Sequence, residues 1–348
     1  MKTYFVTGGA GFIGSNFIHY ILNKYGDDVF VVCYDKLTYA GNLNNLKDIK
    51  NNNNFVFVKG DICNKELVNQ TLEKYNVDYI VNFAAESHVD RSINSAQEFV
   101  DTNIVGAFTV LECARNFWKI GDDTYRTGVK FLQVSTDEVY GALSLEDPMF
   151  EETTPICPHS PYSSSKASAD MLIKSFYDTH KFPINITRCS NNYGPYQFPE
   201  KLIPLMFEKA KNKQPLPVYG TGLNVRDWLF VDDHCSAIDL VLRNGKAGEV
   251  YNIGGNNEKN NLYIVNYIID YLHDNYDSSI NNNLITYVAD RKGHDFRYAI
   301  NSSKIKKDLG WEPSVTFEEG MKKTLDWYLK NEEWMENILN GSYKNEQI

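Results

Sequence analysis

Strand-length apolar runs recur along the first half of the chain: TYFVTG (3–8), VFVVCYD (29–35), FVFVKGD (55–61), YIVNFAA (79–85), KFLQVS (130–135) and INITRC (184–189). They are rich in Val, Ile, Phe and Tyr. Helix-length segments such as GSNFIHYILNKY (14–25) and ELVNQTLEKY (66–75) lie between them. Near-continuous apolar strands alternating with helices fit a parallel sheet covered on both faces, because parallel neighbours need crossover connections and those crossovers bury the strands. The spacing predicts an α/β protein built on a doubly wound parallel sheet.

After about residue 190 the pattern changes. NNYGPYQFPEKLIP and KNKQPLPVYGTGLNVRDW are rich in Pro, Gly and Asn and predict a smaller second lobe. RDWLFVDDHCSAIDLVLRNG followed by EVYNIGG predicts one more helix and strand returning to the sheet, so the lobes interleave. The expected division is 1–190 with 228–255 for the sheet domain, and 191–227 with 256–335 for the C-terminal substrate lobe. A tail at 336–348 follows, within a C-terminal segment, EEWMENILNGSYKNEQI, expected to be partly disordered. NNNN (51–54) and NNN (281–283) predict short polar loops, and no internal repeat is present.

With 348 residues the chain has room for one large or two modest domains. Its 43% hydrophobic and 23% charged content is ordinary for a globular protein. A net charge of −10 without a long basic cluster argues against a general binder of nucleic acid or acidic membranes. MKTYFVTGGAGFIG runs directly into a strand and lacks the apolar core of a signal peptide, and no apolar stretch approaches membrane-spanning length. The six cysteines (Cys33, Cys63, Cys113, Cys157, Cys189 and Cys235) form no CxxC pair or zinc-like spacing. They are expected to be reduced core residues of a cytoplasmic protein.

Gly8, Gly11 and Gly14 follow the first strand at three-residue spacing and open the first helix. Glycines there permit a tight turn and close approach of a pyrophosphate to a helix N-terminus, the Rossmann-type fingerprint. Asp35 ends the second strand 21 residues after Gly14. A carboxylate at that place accepts ribose hydroxyls and repels a 2′-phosphate, which favours NAD over NADP. Asp61, at the end of the third run, fits either an adenine-edge contact or a plain strand cap. In PYSSSK, Tyr162 and Lys166 stand four residues apart, on one face of a helix. A phenol titrates near 10 and is a poor base; a neighbouring ammonium and a cationic nicotinamide would bring it into working range. The stretch VSTDEVYG (134–141) sets a hydroxyl and two adjacent carboxylates, Thr136, Asp137 and Glu138, at the mouth of a strand. By residue type alone it is either a polar turn or an acid/base pair.

Together the glycine loop, Asp35 and the Tyr162/Lys166 pair resemble the extended short-chain dehydrogenase/reductases. FAAESHVDRSI (83–93), VSTDEVYG, RCSNNYGPYQFPEKLIP (188–204), YGTGLNVRDWLFVDDH (219–234) and RKGHDFRYAI (291–300) resemble the nucleotide-sugar 4,6-dehydratases among them, over essentially the whole chain. The resemblance implies NAD as cofactor and dTDP-glucose as substrate. It implies oxidation at sugar C4 with Thr136 and Tyr162, loss of water across C5 and C6 with Glu138 as base and protonated Asp137 as acid, and hydride return to C6. It assigns Phe12, Ile13, Asp35, Lys36, Leu37, Thr38, Asp61, Ile62, Phe83, Ala84, Ala85, Glu86, Ser87, Thr102, Lys166 and Asn192 to the NAD site. It assigns Ser87, Thr136, Asn191, Lys201, Leu202, Pro217, Val218, Tyr219, Arg226, Asn261, Arg291, Lys292, Gly293, His294 and Asp295 to the substrate.

Arg226 and Arg291 suit diphosphate forks, with surface ion pairs as the alternative. Lys292 stands where the family has Pro. His88 and His294 are expected in hydrogen-bonding or substrate-contact roles, with no metal. The resemblance also implies a homodimer formed through a helical face. The competing functions are a dehydratase of another nucleotide sugar, a 4-epimerase, which has no use for Asp137 and Glu138, and a non-catalytic NAD-binding protein.

Overall fold

The computed structural model describes residues 1–290 and 293–346. Its centre is a seven-stranded sheet in the order Val250–Ile253, Ile184–Cys189, Lys130–Thr136, Tyr79–Asn82, Lys2–Thr7, Val29–Asp35, Phe55–Lys59. Every neighbouring pair is parallel. The strand order reverses direction at Lys2–Thr7, which places the glycine loop at the switch point, where open α/β sheets bind ligands.

The strands alternate between two cores. Tyr4, Val6, Val31, Cys33, Leu132 and Val134 face one layer, with Phe17, Ile18 and Ile21 of the helix Phe12–Tyr25 and Ile238 and Val241 of the helix Val231–Asn244. Phe5, Val32, Ile80, Phe131, Ile184 and Ile186 face the other, against Val68 and Leu72, Val110 and Leu111, and Ile173 from three further helices. Period-two side chains buried on both faces are why these runs read as continuous apolar sequence. The helix Val231–Asn244 and the strand Val250–Ile253 do return to the sheet, at its edge beside Ile184–Cys189.

Two runs are shorter as strands than as sequence. FVFVKGD is extended only over Phe55–Lys59, and YIVNFAA only over Tyr79–Asn82. Asp61 and Phe83 to Ala85 therefore lie in loops beyond the strand ends, at the carboxyl edge of the sheet.

The second lobe packs the helices Leu202–Lys211, Asn261–Asn275, Phe317–Lys330 and Glu332–Leu339 around their own core, which includes Phe207, Trp228, Ile268 and Leu325. Its strand Val225–Phe230 pairs with Glu258–Asn260, Arg297–Tyr298 and Asn191–Tyr193.

Two expectations are corrected. The described part of the C-terminal segment folds, with the helix Glu332–Leu339 and the turn Ser342–Asn345. Trp334, Met335 and Ile338 share one helix face, and they and Tyr343 are buried; that i, i+1, i+4 pattern provides apolar area enough to hold the segment down. Of the six cysteines, all free, Cys157 is exposed and Cys63 is only partly covered, so they are not uniformly core residues. Among the described residues no helix is long and apolar enough to cross a membrane.

Candidate active site

One cleft runs along the carboxyl edge of the sheet, lined from the glycine loop to Lys201. At its dinucleotide end Gly8 adopts φ +65, and a Cβ there would lie 2.7 Å from the Ala84 nitrogen. A Cβ on Gly14 would lie 2.3 Å from the Gly8 carbonyl oxygen. The loop thus closes on itself only with glycine. The helix Phe12–Tyr25 starts at Gly11, which has no side chain to cap it, and Phe12 and Ile13 of its first turn line the cleft. Uncapped N–H groups at a helix N-terminus favour a negatively charged group.

Asp35 closes the other wall. Its Oδ2 accepts from the Ala10 N–H at 3.0 Å and its Oδ1 from the Leu37 N–H at 2.7 Å. Burial raises its pKa and those two N–H groups oppose the rise. Each oxygen keeps a lone pair for a ribose hydroxyl. Asp61 is both a cap and a charge partner: Oδ1 accepts from the Cys63 N–H at 2.9 Å, and Oδ2 lies 2.7 Å from the Lys36 ammonium. Against partial burial, Lys36 holds its carboxyl below the usual range. A glycine cradle, an open helix terminus and a ribose-reading carboxylate in one cleft fit NAD. Of the residues expected here, Leu37 alone does not line the cleft; its side chain packs on the core beneath.

At the other end Thr136 is the last residue of the strand Lys130–Thr136, and Asp137 and Glu138 begin a tight turn, Asp137–Tyr140. The Thr136 hydroxyl accepts from the Glu138 N–H at 3.3 Å and lies 3.3 Å from Asp137 Oδ1. Asp137 is 2% exposed, and its Oδ2 has no hydrogen-bond partner among the described residues. Burial, then the carboxylates of Glu138 and Asp227, push its pKa well above the carboxylate range, with Arg226 opposing. Glu138 is only partly buried. Both carboxyl-bearing side chains line the cleft with Tyr162 and Lys166.

Tyr162 and Lys166 lie one turn apart on the helix Pro161–His180, which opens with a Ser160/Ser163 capping box and Pro161 at its first position. Lys166 Nζ donates to the Val134 carbonyl at 2.7 Å, and burial lowers its pKa. Tyr162 is buried, and burial followed by Glu138 raises its pKa far above the ordinary phenol value, while the Thr136 hydroxyl pulls it down.

Beneath the pair runs a buried polar chain. Ser135 Oγ and Arg188 Nε donate to Asp170 Oδ2 at 3.0 and 2.9 Å, Arg188 Nη1 donates to the Tyr140 hydroxyl at 2.9 Å, and that hydroxyl donates to Asn252 at 2.8 Å. These bonds tie Ser135 and Arg188, on adjacent strands, to Asp170, one turn beyond Lys166 on its helix.

Of the residues expected at the substrate, Ser87, Thr136, Asn191 and Lys201 line the cleft, and Lys201 Nζ donates to the Ser87 carbonyl at 3.1 Å. Leu202, Pro217, Val218, Tyr219, Arg226, Asn261, Gly293, His294 and Asp295 do not line it. Val218 is part of the second lobe's core. Arg226 is neither a surface ion pair nor a lining group. It is 8% exposed and donates to the Val225, Phe296 and Asp295 carbonyls at 2.7, 3.2 and 3.0 Å. His294 Nδ1 lies 2.7 Å from Asp290 Oδ1, and His159 Nδ1 lies 2.8 Å from Asp295 Oδ1. Arg291 and Lys292 lie outside the described residues. His88 caps the helix Val89–Asn94, and among the described residues no group of three His, Cys, Asp or Glu could hold a metal. Tyr34, Ser190, Gln197, Phe198 and Glu200 line the cleft without having been expected. The last four fall inside the motif RCSNNYGPYQFPEKLIP, while Tyr34 has only the signal of a core strand residue.

A dinucleotide cradle at the switch point of a parallel sheet, facing a Tyr/Lys pair on one helix, defines an extended short-chain dehydrogenase/reductase. The family described as GDP-mannose 4,6 dehydratase matches residues 5–324. A dTDP-glucose 4,6-dehydratase of Xanthomonas campestris pv. campestris is 52% identical over 351 residues, covering 100% of this chain and 99% of that protein. One from Neisseria meningitidis serogroup B is 49% identical over 358 residues, with coverage of 100% and 99%. The crystal structure of dTDP-glucose 4,6-dehydratase from Bacillus anthracis in complex with NAD superposes with a TM-score of 0.87 at 51% identity, over 97% of this chain and 100% of that one. This chain belongs to the dTDP-glucose 4,6-dehydratase family of nucleotide-sugar dehydratases.

Proposed function

We propose that the protein catalyses NAD-dependent dehydration of dTDP-glucose to dTDP-4-keto-6-deoxyglucose. The observation that carries this is the buried Asp137, one oxygen of which has no partner among the described residues, beside the half-buried Glu138 in the same cleft as Tyr162 and Lys166. When bound, NAD supplies a hydride acceptor and a positively charged ring. Tyr162, hydrogen-bonded by Thr136, takes the proton of the sugar C4 hydroxyl. Glu138, the more exposed carboxylate, takes the C5 proton that the new ketone acidifies. Asp137, kept protonated by burial, gives its proton to the departing C6 hydroxyl; return of the C4 hydride to C6, with a proton delivered back to C5 by Glu138, would complete the redox-neutral conversion. A 4-epimerase needs neither carboxylate.

Incubation with dTDP-glucose, UDP-glucose and GDP-mannose in parallel, followed by alkali, tests this. A keto-sugar chromophore from dTDP-glucose is expected. Its absence from all three would refute a dehydratase, and preference for another sugar nucleotide would refute the base assignment.

We further infer a homodimer in a reducing compartment. Ile93, Val105 and Met171 are 46, 47 and 55% exposed on the neighbouring helical segments before and along Pro161–His180, an apolar surface suited to a second copy. Light scattering should give twice the chain mass, and a monomer would refute this.

A further inference from the structure

The C-terminal segment that the sequence suggests is loose touches both lips of the cofactor cleft. One lip is the loop after the strand Val29–Asp35, whose Lys36, Thr38, Ala40 and Gly41 line the cleft. The other follows the strand Asn191–Tyr193 and contributes Gln197, Phe198 and Glu200.

Tyr343 donates its hydroxyl to the Tyr39 carbonyl at 2.6 Å and packs its ring edge-on to Phe198 at 6.1 Å. Tyr39 in turn meets Phe198 at 5.7 Å and donates to Glu200 Oε1 at 2.9 Å. Trp334 donates its indole N–H to Asn45 Oδ1 at 2.8 Å, and Asn45 Nδ2 donates to the Ala10 carbonyl at 3.0 Å, inside the glycine loop. Asn45 is 2%, Trp334 7% and Tyr343 6% exposed; the Trp334–Asn45 and Asn45–Ala10 bonds are buried, so a partner lost there leaves a buried polar group behind, while the Tyr343 and Tyr39 hydroxyl bonds are partly buried.

We propose that the segment from Glu332 to Asn345 is a strap that holds the two lips and the glycine loop at the separation a dinucleotide requires, with Trp334 and Tyr343 as positioning residues. This rests on the assignment of the cleft to NAD. The strap touches no reacting atom. It acts by removing freedom that binding would otherwise have to remove, so it affects cofactor affinity more than the chemical steps.

The test compares the parent with Tyr343→Phe, Trp334→Phe and the double variant. Tyr343→Phe deletes one oxygen and keeps the ring packing, so it tests the strap even where Trp334→Phe fails to fold. Calorimetric titration of the cofactor-free protein with NAD is expected to show affinity about fivefold weaker for each single variant, the size of one net hydrogen bond. Affinity for dTDP is expected to stay within twofold of the parent, and kcat at saturating NAD to be preserved. NAD affinity within twofold of the parent in Tyr343→Phe overturns the strap. So does equal weakening of NAD and dTDP binding, the sign of general destabilisation. A parent that binds no NAD refutes the assignment of the cleft itself, a result distinct from either.

Discussion

Replacing Asp137 with Asn removes the transferable proton and almost nothing else. The side chain is 2% exposed, so a carboxylate there would be desolvated next to Glu138 and Asp227. The fold instead stores a neutral carboxyl, whose shape a carboxamide copies. A positioned general acid contributes about 10²–10⁴ in rate, so kcat should fall by that factor, about 3–5 kcal/mol of barrier, with KM little changed. Stability should move the other way with pH. A carboxyl whose folded pKa is raised contributes stability that is fully present below its unfolded value near 3.9 and is lost as pH rises through the folded value. The Asp137→Asn variant has no such loss. The difference in melting temperature between variant and parent should therefore grow in the variant's favour as pH is raised above about 4. The assays are keto-sugar formation in alkali and thermal melts across pH. A kcat within threefold of the parent, or a pH-independent difference in melting temperature, would refute a protonated Asp137 acting as the acid.

Tyr162→Phe should lose about 10²–10⁴ in turnover while titrating with NAD as the parent does; retained turnover would remove Tyr162 from the chemistry. Glu138→Gln should slow incorporation of solvent deuterium at C5 of the product, read by NMR, by a similar factor, and unchanged incorporation would exclude it as the base. Gly14→Ala places a Cβ 2.3 Å from the Gly8 oxygen, an overpacking that costs about 1–3 kcal/mol. It should lower both melting temperature and NAD affinity, and parent-like values for both would refute the close-packed loop.

The strands were legible because each is apolar on both faces, and the cofactor end was legible because its chemistry lies in contiguous motifs hung on those strands. Asp35, Gly8 and Lys166 each follow from one local pattern. The second lobe was not legible in the same way. Arg226 has the residue type of a phosphate fork, and its Nη1 and Nη2 donate to three main-chain carbonyls from two segments far apart in sequence. Local sequence cannot show that. Val218 has no local mark separating a pocket wall from a core residue, and tertiary packing put it in the core. The tail was missed because charged residues surround its four buried apolar side chains, and composition there outweighs a single helical turn of pattern.

Adjacent carboxylates raise the question of how one of two neighbours in sequence comes to be held protonated. The turn Asp137–Tyr140 answers it. Consecutive residues in so tight a turn project in different directions, so one step along the chain separates a side chain nearly sealed from water from one that is partly open. Thr136 anchors the arrangement by accepting the Glu138 N–H through its side chain. The repulsion between the two carboxylates then works with burial, since an ionised Glu138 makes ionisation of Asp137 still harder. After burial, the largest cause of the shift thus comes from the turn's own Glu138, and Asp227 adds to it from the second lobe's strand. It follows that Glu138→Gln should lower the Asp137 pKa by removing its neighbour's charge, while burial and Asp227 still hold it above the ordinary carboxylate range. Carbonyl-stretch infrared spectra of the variant and the parent across pH would read this directly, and an Asp137 titration unmoved by Glu138→Gln would refute the coupling.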